Sequence, residues 1–241
     1  MAQTAEAGGR VVLVVATKGE RGEPQPGVLS EGESLWERRI PETFRSARVL
    51  GADRVEFLGY VDSGMMDEDT NNFPYSFWQA DVDQAANRLA AILKEESADI
   101  LTTYDDHGGY GHPDHIQVHR VGKRAAEIAG TPRVLEATMN RDRIRSSLAE
   151  VAAMSEEGEP DAPEPQDDLG TAEADITIGL DVTNMIDKKR DAMTAHESQI
   201  SEDSWFLRLK PELFIAAFGH EWYIEAGNPR IASEGLRSSV W

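Results

Sequence analysis

Along the first 140 residues, runs of β-branched residues alternate with segments of helical period, and this alternation constrains the fold more than any other feature. "RVVLVVAT" (10–17) is a continuous apolar run that reads as a strand buried on both faces. "RVEFLGY" (54–60), "ADILTTY" (98–104) and "RVLEAT" (133–138) read as further strands. Between them, Ile40, Phe44, Ala47 and Leu50 recur at helical spacing before Gly51. Val82, Ala85, Ala86, Leu89, Ile92 and Leu93 form a second stripe, and Val118, Val121, Ala125 and Ile128 a third. Strands separated by helices of about 12 to 18 residues imply βαβ units. The expected fold is α/β: a three-layer, Rossmann-like, mostly parallel sheet with helices on both faces.

Later, "DITIGLDV" (175–182) alternates, with Ile176, Ile178, Leu180 and Val182 on one face. A helix is expected over 183–200 and a late strand over 220–227. The segment 155–175 holds nine acidic residues, three prolines and no base. It has too little apolar surface to order itself and reads as a flexible acidic insert within one domain spanning 1–241. It also supplies much of the net charge of −20. That charge argues against nucleic acid, whose phosphates are held by Lys and Arg, and against an anionic membrane surface. The chain has no Cys, so disulfides and thiolate chemistry are excluded. No run approaches the roughly 18 apolar residues of a membrane span, and the start lacks a signal-peptide core. A cytoplasmic enzyme is expected, with room for a homo-oligomer.

The chemistry concentrates in "DDHGGYGHPDHIQVHR" (105–120), which holds four of the six histidines. It falls between a strand end and a helix start, where open α/β sheets bind their ligands. Pro113 suits the first helical turn. His112 and His115 then lie three apart and His115 and His119 four apart. Gly108, Gly109 and Gly111 allow close backbone approach to a ligand. The residues alone leave two readings open: a site, or a solvated loop whose histidines cap a helix. His107 and His119 read as surface residues, and His196 as a packing residue. Two histidines alone are also an incomplete catalytic zinc site, which takes three protein ligands.

"GGYGHPDHIQVH" resembles the histidine motif of the PIG-L/LmbE-like zinc-dependent deacetylases, which include N-acetylglucosaminyl-inositol deacetylases and mycothiol-conjugate amidases. "TKGERGE", "RRIPETFRSARVLGA", "LGYVDSGM" and "AHESQI" match that family in order, over about 8–150 and 176–225. The resemblance implies that His115 is a zinc ligand and that His112 polarises the scissile carbonyl. It implies that Asp114 orients the histidines, that Tyr110 is a mobile aromatic, and that Glu20, Arg39 and Asp62 contact the sugar or its polyol neighbour. The implied reaction is metal-assisted hydrolysis of a small-molecule N-acyl amino sugar or conjugate, in which zinc lowers the pKa of its water to about 7.

One family motif has no counterpart. The family opens on a strand ending in His-Pro-Asp-Asp, which supplies two further zinc ligands and the general base. Here the first histidine is His107. An N-terminally truncated chain is therefore expected, with the family's first strand missing and an unpaired edge on "RVVLVVAT". His119, Asp105 and Asp106 are the nearby residues that could substitute as ligands. The alternative function is a sugar-binding domain without catalysis. A nucleotide-binding domain fits poorly, because neither GxGxxG nor a P-loop follows the first strand.

Overall fold

A computed structural model describes residues 1–146, 169–201, 203–204, 207–231 and 233–241. A short helix α1 (Ala2–Glu6) leads into β1 (Val12–Val15), α2 (Leu35–Val49), β2 (Arg54–Phe57), α3 (Val82–Glu95) and β3 (Ile100–Tyr104). A kinked turn α4 (Gly108–Gly111) then precedes α5 (Pro113–Ala129) and β4 (Arg133–Thr138). β5 (Ile178–Asp181), α6 (Ile186–Thr194), α7 (Pro211–Phe218) and β6 (His220–Glu225) complete the order. Residues 155–168 of the acidic insert lie outside the described residues. Its last part is held: Thr171 bridges to Asn140, and the Thr171 N–H donates to Met139 O at 2.8 Å.

The expected α/β alternation is present, but the strands form two sheets. β1 pairs with β2 in parallel, Val12 opposite Arg54 and Val15 opposite Phe57. The second sheet has the order β3-β4-β6-β5, with β3 and β4 parallel and β6 antiparallel to both β4 and β5. Among the described residues, β1 has no ladder partner besides β2. The expectation that "RVVLVVAT" is buried on both faces is corrected: every β1 residue is only half-buried. A parallel strand is shielded on both faces only where neighbours and helices cover it, and two strands make a narrow platform.

The helix stripes fare better. Asp81 caps α3 by accepting the Gln84 N–H at 2.9 Å. Ala85, Ala86, Leu89 and Leu93 are buried against Val121 and Ala125 of α5, with Phe77 closing the cluster. Ile178, Leu180 and Val182 form a second cluster with Leu135, as the alternation in that strand predicts. In α2 the expected stripe is only partly right, since Phe44 is exposed and the buried set is Leu35, Glu42, Ser46 and Ala47. The helix expected over 183–200 ends at Thr194. Residues 195–200 instead form turns packed on α2. There the fully buried Glu42 accepts the Ser198 N–H at 2.9 Å and its hydroxyl at 2.6 Å.

Candidate active site

The histidine stretch leaves the C-terminal end of β3 and enters α5. Three glycines adopt positive φ on the way, Gly108 at 65°, Gly109 at 74° and Gly111 at 88°. At Gly108 a Cβ would lie 2.7 Å from Ile116 N and 2.9 Å from His115 Cβ, so the turn closes on its own helix only with glycine there.

His112 is the N-cap of α5 and Pro113 its first residue. The Asp114 N–H donates to His112 Nδ1 at 3.1 Å. An Nδ1 that accepts carries no proton, so the neutral ring has its N–H at Nε2. His115 is the opposite tautomer. Its Nδ1 lies 3.1 Å from the Gly108 carbonyl, which can only accept, so Nδ1 is protonated and Nε2 holds a lone pair. The two rings stack at 4.8 Å. Tyr104 stacks on His115 at 4.1 Å, nearly parallel, and Tyr110 meets the same ring edge-on at 5.2 Å.

Burial holds this pair neutral. It lowers His112 from the ordinary histidine range, and it brings His115 to about 4, with His112 adding to the effect. Burial also raises Asp114 to about 6, against the opposing bond that its Oδ2 accepts from the Ser63 N–H at 3.3 Å. Its Oδ1 is buried without a hydrogen-bond partner. Tyr110 is 59% exposed, and its phenol is raised by partial burial and by Asp62.

The other half of the site comes from the loops after β1 and β2 and from α2. Glu20 Oε2 accepts the Asp62 N–H at 3.0 Å and the Lys18 N–H at 3.3 Å. Asp62 accepts the Gly64 N–H at 2.9 Å and the Arg21 N–H at 3.3 Å. Its charge reaches Tyr110, His112, Asp114 and His115. Arg39 donates from Nη1 to Gly19 O at 3.2 Å, and its charge is felt at Tyr110 and at His196. The two loops and the first turns of α2 thus bring Glu20, Asp62 and Arg39 to the same end of the strands as Tyr110, His112, Asp114 and His115.

Of the remaining histidines, His107 is exposed and pairs with Asp106 at 2.6 Å. His119 is not the expected surface residue: its ring is largely buried and its Nδ1 donates to Tyr104 O at 3.0 Å. Asp105 does not stand in as a ligand, because both of its carboxylate oxygens accept hydrogen bonds from Gly109 and Thr138. Sequence reading also passed over Tyr104, whose position at a strand end beside the motif was the available signal.

Among the described residues, no three His, Cys, Asp or Glu side chains are arranged to hold a metal ion. His115 Nε2 and the unpartnered Asp114 Oδ1 have the chemistry of ligands. They fall short of the three that a catalytic zinc takes.

Comparison with known proteins agrees with the fold. N,N'-diacetylchitobiose deacetylase from Pyrococcus horikoshii superposes with a TM-score of 0.58 at 21% identity, covering 93% of this chain and 75% of that one. The 4-carboxy-2-hydroxymuconate hydratase GalB of Pseudomonas putida superposes with a TM-score of 0.57 at 22% identity, covering 98% and 90%. At such identities the likeness concerns architecture, which unrelated reactions share. Sequence relationship goes further. The 1D-myo-inositol 2-acetamido-2-deoxy-alpha-D-glucopyranoside deacetylase of Thermobifida fusca is 40% identical over 222 residues, 83% of this chain and 77% of that protein. The model of the PIG-L family, GlcNAc-PI de-N-acetylase, matches residues 1–126, a span that holds both halves of the site, and the chain belongs to that family.

Proposed function

We propose that this protein hydrolyses the N-acyl bond of a small-molecule amino-sugar conjugate, an N-acetylglucosaminyl-inositol being the substrate that its relatives' names suggest. The products are a carboxylic acid and the free amino sugar. One observation carries the reading: two stacked neutral imidazoles of opposite tautomer, at a strand end, within one family motif. His112 offers an Nε2–H to the amide oxygen as negative charge builds there. A fixed donor of that kind is commonly worth ~3–4 kcal/mol. Neutrality suits the role, because the ring can donate without carrying charge into a half-buried site. His115 offers a lone pair at Nε2. Glu20, Asp62 and Arg39 present the carboxylates and guanidinium that bind sugar hydroxyls, with loop hydrogen bonds fixing their positions.

The zinc implied by the family resemblance would find His115 Nε2 and Asp114 Oδ1 here, one donor short of a catalytic set. That shortfall favours one second reading, a sugar-binding domain without turnover. The two separate in one experiment. The chain is incubated with N-acetylglucosaminyl-inositol, released amine is followed, and binding is measured by calorimetry. Hydrolysis that falls about 10²- to 10³-fold in His112→Ala with binding retained supports the hydrolase. Binding without amine release supports the binding domain, and the absence of both removes both.

A further inference from the structure

Asp105, fully buried just past the end of β3, binds neither substrate nor metal in this reading. Its oxygens are instead committed to hydrogen bonds. Oδ1 accepts the Gly109 N–H at 2.9 Å and Oδ2 accepts the Thr138 hydroxyl at 2.6 Å. Thr138 Oγ1 also lies 2.9 Å from Thr171 Oγ1. A hydroxyl has one proton. Thr138 gives its proton to Asp105, so Thr171 must donate to Thr138, and the donors run in one direction from Thr171 through Thr138 to the carboxylate. The backbone joins in: the Gly108 N–H donates to Asp105 O at 3.0 Å, and the Asp105 N–H donates to Ala137 O at 3.0 Å.

These bonds bracket Gly108 and Gly109 from both sides. Gly109 is held at φ 74° and ψ −81°, outside the helical region. Gly108 supplies the carbonyl that takes the His115 Nδ1 proton. We infer that Asp105 is a positioning residue: by fixing the Gly108–Gly109 turn it sets the His115 tautomer and leaves the lone pair at Nε2. Without the carboxylate the Gly109 amide loses its acceptor, the turn relaxes and the His115 proton is free to move to Nε2. This rests on reading His115 as a site residue, but its readout is a proton position and needs no turnover.

The test is nuclear magnetic resonance of the ¹⁵N-histidine-labelled, chelator-treated chain at neutral pH, with His115 assigned by loss of its signals in His115→Gln. Wild type is expected to show a protonated Nδ1 and a bare Nε2 on His115. Asp105→Ala is expected to give a mixture or the reverse. Asp105→Asn, whose amide oxygen still accepts from Gly109 and whose NH₂ donates to Thr138, is expected to restore the wild-type pattern. An unchanged His115 tautomer in folded Asp105→Ala overturns the proposal. Should Asp105→Ala not fold, Thr138→Val decides: Gly109 amide exchange roughly tenfold faster, about one net hydrogen bond, together with a mixed tautomer supports it. Wild-type exchange and tautomer in Thr138→Val overturn it.

Discussion

The two halves of the site are built in different ways. On the β3–α5 side, each imidazole is tied to backbone nearby in sequence, His112 to Asp114 and His115 to Gly108. On the β1–β2 side, the bonds cross much longer stretches of chain, Arg39 reaching Gly19 and Glu20 reaching Asp62. The supports differ too. The histidines hang from a four-stranded sheet with Leu135 1% exposed, whereas β1 and β2 are half-buried along their whole length. Local closure makes the imidazole half robust. The carboxylate and guanidinium half depends on tertiary packing of a thinner sheet.

The largest test of that difference is a pair of truncations. Leu135→Ala is expected to destabilise by about 3 kcal/mol and Val14→Ala by about 1 kcal/mol, read from urea unfolding. Equal losses would erase the distinction between the sheets. Next comes the turn itself. Gly108→Ala puts a Cβ at positive φ within 2.7 Å of Ile116 N, and a loss of about 2 kcal/mol is expected, with the His115 signals disturbed while those of His196 stay put. A turn that accepts alanine without cost would show that local closure is loose.

The smallest effect is in pH. His115, lowered to about 4, penalises the fold as pH falls below the ordinary histidine range, so its contribution to stability rises with pH between about 4 and 6.5. Asp114, raised to about 6, acts oppositely: its neutral form is accepted at low pH, and stability is lost as pH rises through that value. The two oppose each other over the same window. Asp114→Asn should therefore steepen the gain in stability from pH 4.5 to 6.5, by about 1 kcal/mol across it. A slope no steeper than wild type in chemical unfolding would contradict the opposition.

The same contrast explains what could be read from the residues. The strands before residue 140 and the capped start of α5 follow from local pattern: β-branched runs, Pro113 at the first turn, glycines at the kink. The His112 cap follows almost directly from the spacing to Pro113. The His115–Gly108 bond does not, because it depends on the backbone torsions of Gly109, which the letters G-G-Y-G leave open. Glu42 was legible only as a polar interruption of a helix stripe, since its partner Ser198 is remote in sequence. Asp105 invited a ligand reading from its neighbours in the chain, whereas its oxygens answer Gly109 and the far strand at Thr138. The division into two sheets was foreshadowed only as an unpaired edge on the first strand.

Gly122 sets a mechanical limit on all of this. It lets α5 lie so close to β3 that an added Cβ would stand 2.9 Å from Thr103 Oγ1, and that hydroxyl is itself bonded to Val118 O at 3.1 Å. A helix seated in this way cannot slide or roll without lifting off the strand. The imidazole pair at its first turn is thus a fixed anvil, and any fitting between protein and visitor has to be done by the visitor and by the loops across from it.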